Sequence, residues 1–166
     1  MKIDMMKLVT FQLGDELFAA DIYSVERVLR YATPSAVPDA PEWVEGVIEN
    51  GGQVIPVVDL RRRIELAEHA VTATTRILVL GTSDGAIGAI VDAVLEVAVV
   101  PIASVSPPPP LFRGLSSRFI SGVAKIRGRL TVVLDVDRIV TSSDRLHFDA
   151  TVDATRDSAT EPLARG

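Results

Sequence analysis

The chain has 166 residues, of which 48% are hydrophobic and only 5% aromatic, and its mean hydropathy is +0.31. That is enough apolar material for one domain with a sizeable core, or for two small halves sharing one, and it excludes general disorder. A net charge of −5 and a pI near 5.0 argue against a nucleic-acid partner, and the lack of cysteine excludes disulfides and thiolate metal sites. The opening MKIDMMKLVTFQLGDE has no long apolar run followed by small residues, so no signal peptide is expected. The most apolar stretch, AIGAIVDAVLEVAVVPIASV, is broken by Asp92, Glu96 and Pro101, whereas a membrane span needs roughly 20 mostly apolar residues. A cytoplasmic protein without membrane insertion is expected.

Taken in chain order, LVTFQL (8–13) alternates and Gly14-Asp15-Glu16 turns it into LFAAD (17–21), which predicts a hairpin. From Ile22 to Arg30 the apolar residues Ile22, Val25, Val28 and Leu29 recur at helical spacing, and Glu26 and Arg30 stand four apart, so a short helix is predicted. Its apolar stripe is broad enough to leave surplus area for a partner. Pro34, Pro38 and Pro41 punctuate an extended connection. GVIEN (46–50) and QVIPVV (53–58) flank Gly51-Gly52, and RILVLG (76–81) and GAIGAIVD (85–92) flank Thr82-Ser83-Asp84; both read as strand pairs. A stiff proline run, 107–110, follows, and GVAKIRG and RLTVVL close the patterned part. Beyond Thr141 the chain is polar and aperiodic, so residues 142–166 are expected to form a mobile tail on a domain spanning 1–141.

An internal repeat at a spacing of 76 residues organises these elements. Trp43-Val44-Glu45-Gly46-Val47 aligns with Phe119-Ile120-Ser121-Gly122-Val123, Gly52 with Gly128, Val57-Val58 with Val133-Leu134, and Asp59 with Asp135. Two related β-rich halves, each a small curled sheet or barrel, are therefore predicted. The repeat also bears on the most tempting chemistry, Asp59 followed by three arginines. Both Asp59 and Asp135 follow an apolar strand and precede a short helical pattern, where a carboxylate accepts free N–H groups of the first turn. They are read as structural caps, with Arg61–Arg63 on an exposed face and Trp43 and Phe119 in core or half-buried packing, the alternative for Trp43 being an interface anchor.

Gly81-Thr82-Ser83-Asp84-Gly85 matches the nucleophile pattern G-x-S-x-G, but that motif needs a helix after the turn, and here another strand is predicted. Only His69 and His147 could supply a base, and two lone histidines do not make a zinc site. No phosphate-cradling glycine motif is present. No catalytic residue, metal or cofactor is assigned. The competing class is a small-ligand-binding or hydrolytic β-barrel working through Ser83 or Asp59.

Three segments, FQLGDELFAADIYSVERV, APEWVEGVIENGGQVIPVVDLRRRI and SGVAKIRGRLTVVLDVDRIV, together resemble the CheW-like family of chemotaxis coupling proteins over roughly residues 8–141. The resemblance implies an all-β fold with a few short helices: two SH3-like five-stranded barrels sharing a core. It also implies a non-enzymatic adaptor, recruited to membrane receptor arrays, that links the cytoplasmic tip of chemoreceptors to the regulatory domain of a CheA-type histidine kinase. The receptor contacts it implies fall on Ile22, Val25, Arg27, Val28 and Gly51. The chain departs from the family where N-x-R-G becomes Asn50-Gly51-Gly52, which removes an arginine, and where Arg27 replaces a commonly acidic residue. A specialised member that binds only the kinase, or that serves a non-flagellar pathway, is the alternative.

Overall fold

Alternating β-branched and leucine residues make strands throughout. The computed structural model describes residues 3–63, 70–108 and 118–139. Strands β1 (Met5–Leu13) and β2 (Glu16–Asp21) form the first hairpin, and β3 (Val25–Arg30), β4 (Val44–Asn50) and β5 (Gln53–Asp59) follow. After helix α1 (Leu60–Arg63) come β6 (Arg76–Thr82), β7 (Gly85–Val91), β8 (Ala93–Pro101), β9 (Ile120–Ile126), β10 (Arg129–Leu134) and helix α2 (Val136–Ile139). The expected all-β class holds: the strands form two five-stranded sheets, ordered β8-β1-β2-β10-β9 and β3-β6-β7-β5-β4. The tail 142–166, His69 and His147 lie outside the described residues.

The segment 22–30 is not the predicted helix. Asp21 Oδ1 accepts the N–H of Tyr23 at 2.9 Å and starts a single 3-10 turn, Ile22–Ser24, after which the chain pairs antiparallel with β6. A register shift between Val25 and Arg27 marks a bulge. One extra residue breaks the two-residue alternation, so Val25 packs on the main core while Leu29, four residues on, packs beside Ile77 on the opposite face of the sheet, and the resulting apolar spacing mimics a helix. Beyond Asp92, Val94 and Val97 lie on strand β8, paired with β1.

The repeat is visible in three dimensions. Asp59 N donates to Trp43 O at 3.0 Å, and Asp135 N donates to Phe119 O at 2.8 Å. Val47 exchanges two backbone bonds with Ser35, as Val123 does with Ser106. At Gly46, φ is +147° and a Cβ would lie 2.1 Å from Ser35 O, so no other residue fits that crossing. Each sheet, however, draws on both halves of the sequence. Hairpin β1–β2 leaves the first repeat to lie between β8 and β10, while β6–β7 leaves the second to lie between β3 and β5. The main core joins the two sheets, with Phe11, Leu13 and Phe18 from one packed among Leu78, Leu80 and Val91 from the other.

Candidate functional site

Strand β3 and the β4–β5 turn stand at opposite edges of their sheet, and curling the sheet brings them together. Across that seam Arg27 Nη1 donates to Asn50 Oδ1. Gly51 has φ +59°, and a Cβ there would lie 3.7 Å from Arg27 Nη1. Thus Arg27 and Gly51, two departures far apart in sequence, adjoin: a guanidinium hangs beside the turn position that has no side chain. Val28, 45% exposed, lies one residue on, and Tyr23 is 95% exposed on the preceding 3-10 turn. Ile22 and Val25 are half-buried, and Val25 packs against the main core. Tyr23 escaped the sequence reading, because a lone tyrosine in a presumed helix carries no signal until the turn displays it.

The other sheet closes in the mirrored sense. Arg127, which occupies the place of Gly51 in the second copy of the repeat, has φ +50° and donates from Nε to Glu96 Oε1 on β8 at 2.7 Å. In one seam the strand supplies the arginine; in the other the turn does.

Between the sheets lies a buried ionic cluster that corrects the expected exposed face. Arg61 is 6% exposed. Its Nε and Nη2 donate to Asp59 Oδ1 and Oδ2 at 3.1 and 3.2 Å, and its Nη1 donates to Asp92 Oδ1 at 3.0 Å. Asp59 Oδ1 also accepts the Arg61 backbone N–H at 3.0 Å, and Asp92 Oδ2 accepts Gly14 N–H from the β1–β2 turn at 2.6 Å. The cluster thereby ties the end of β5 and the β7–β8 junction to the turn of the exchanged hairpin. At Asp135 the carboxylate faces Arg138 Nε at 3.4 Å instead of a helix N–H. Arg62 stays outside, 3.5 Å from Glu45. Arg63 donates to Ile139 O at 2.9 Å, with its guanidinium 4.3 Å from the Trp43 ring centre and 4.9 Å from that of Phe119. The aromatic pair of the repeat sandwiches one cation, which contributes roughly 0.5–2 kcal/mol per contact.

The G-x-S-x-G residues form the β6–β7 turn. Ser83 N–H donates to Asp137 Oδ1 at 2.9 Å, and a strand follows, so the strand-turn-helix of a nucleophile elbow is not made. Asp59, 3% exposed and held by Arg61, is not presented to a substrate. Among the described residues no helix is long and apolar enough to cross a membrane.

Residues 7–144 match the CheW-like domain. The chain belongs to that family. It is 30% identical over 145 residues to chemotaxis protein CheW of Treponema pallidum, covering 85% of each chain. It is 29% identical over 139 residues to that of Rhizobium meliloti, covering 84% of this chain and 90% of the relative. The CheW-like fold matches the crystal structure of the scaffolding protein TtCheW from Thermoanaerobacter tengcongensis with a TM-score of 0.78 at 29% identity, over 86% of this chain and 92% of that one.

Proposed function

We propose that this CheW-like chain is a non-enzymatic adaptor that couples chemoreceptors to a CheA-type histidine kinase, located in the cytoplasm and recruited to receptor arrays by its partners. The observation that carries the reading is similarity to CheW proteins along almost the whole fold, in sequence and in backbone. Two barrels with separate faces can hold two partners at once, and a receptor shift reaches the kinase only as a coupling free energy, typically about 1–3 kcal/mol.

The receptor face is the seam bearing Tyr23, Arg27, Val28 and Gly51. Its guanidinium is anchored on one side by Asn50, which leaves further N–H groups for a carboxylate or carbonyl on the partner. Pull-downs against a receptor tip and against the kinase regulatory domain, run separately, test this reading. Val28→Asp and Tyr23→Asp are the useful probes, because Val25 packs on the core and an aspartate there would confound binding with unfolding. Both variants are expected to lose receptor while keeping kinase. Retention of receptor would move the site elsewhere, and capture of kinase alone by the unaltered chain would favour a kinase-only member.

A further inference from the structure

We infer a second binding site, for a phosphate monoester, in a groove where β3 ends and β6 begins. The groove measures about 350 Å³, within the roughly 300–1,000 Å³ usual for small-molecule sites, and its rim includes Arg30, Tyr31, Thr72, Thr75 and Arg76. Arg30 and Arg76 are direct cross-strand partners, so both side chains leave the sheet on the same face. Like charges directly opposite one another disfavour the pair unless an anion lies between them. Among the described residues, no carboxylate lines the groove and the Arg30 side chain makes no hydrogen bond or ion pair.

The loop before β6 is shaped to hold its arginine. Thr75, nearly fully buried, accepts Thr72 N–H through Oγ1 at 2.9 Å, and this folds the turn. The turn's carbonyls then face inward: Ala73 O and Thr75 O each accept from Arg76 Nη1 at 2.9 Å. That leaves the other donors of Arg76 for a ligand, and a planar guanidinium offers them as a fork suited to phosphate oxygens. Two fixed positive charges match a dianion better than a singly charged carboxylate. The groove has room for more than the ion alone, and the aromatic Tyr31 is among its lining residues, hence the ester.

Titration calorimetry at low ionic strength with phenyl phosphate, benzoate and inorganic phosphate tests this assignment on the full chain. Phenyl phosphate is expected to bind, with benzoate and inorganic phosphate each at least tenfold weaker, the first for its single charge and the second for its missing ring. Arg30→Gln is expected to weaken phenyl phosphate at least tenfold without changing the melting temperature of the free protein, because that side chain holds no structural bond. Arg30→Lys should recover part of the loss, and Arg129→Gln, on the other sheet, should change nothing. Absence of binding, or equal binding by Arg30→Gln, would overturn the site. Equal binding of benzoate would overturn the dianion, and equal binding of inorganic phosphate would overturn the ester.

Discussion

Replacing Arg61 by methionine keeps most of the side chain's volume and deletes its charge. In the native protein this guanidinium donates two hydrogen bonds to Asp59 and one to Asp92 among the described residues, in a place almost closed to water. Without it, Asp59 keeps one backbone N–H, and Asp92 keeps Gly14 N–H. Two carboxylates would then stand close together with no cation between them. Removing one partner of a buried pair typically costs about 3–5 kcal/mol, because the charge left behind cannot be rehydrated. At about 2–4 °C per kcal/mol for a chain of this size, the melting temperature should fall by roughly 6–20 °C. Urea unfolding at neutral pH measures the free energy directly, with Arg62→Met as control. Arg62 lies outside with a half-buried partner, so its loss should cost at most about 1 kcal/mol. Adding Asp59→Asn to Arg61→Met should return a large part of the stability, since a neutral amide costs far less to bury unpaired. If Arg61→Met matched the Arg62→Met control, the cluster would not be holding the two sheets together.

The mirrored seams invite an exchange. Gly51→Arg alone should cost about 1 kcal/mol for the left-handed backbone, plus repulsion from Arg27, while Arg27→Glu with Gly51→Arg rebuilds the arrangement of Glu96 and Arg127. A double-mutant cycle should give about 0.2–1 kcal/mol of favourable coupling, and zero or unfavourable coupling would count against the equivalence of the seams. Because the repeats exchange hairpins, residues 1–70 and 71–166 expressed singly should show no cooperative melt, whereas together they should assemble and melt as one; a fragment that folds alone would contradict the exchange. Truncation after Thr141 should leave the melting temperature within about 2 °C, equivalent to the roughly ±0.5 kcal/mol typical of changes away from packed features, and a larger fall would give the tail a structural role.

Much was legible in the residues because the signals were local. Alternation in LVTFQL, paired glycines at Gly51-Gly52, and the aligned Trp43 and Phe119 each follow from neighbours in the chain, and they yielded the strands, the turns and the duplication. What misled was also local. The apolar residues of 22–30 fall at helical spacing, yet the bulge at Glu26 and the edge of β6 decide their conformation, and a free edge three strands away in sequence is invisible to periodicity. Arg61 looked like surface because long cations usually remain in water; pairing with Asp59 and with Asp92, which the parallel β5–β7 ladder brings alongside, makes its burial tolerable.

The sequence alone therefore determined that two similar β-rich units exist and that their shared aspartates end strands. Which strands join into which sheet, and that Arg27 comes to hang over Gly51, was decided only in the folded molecule. Backbone pairing and charge compensation act between residues brought close by the whole fold, and the spacing along a chain records no such distance.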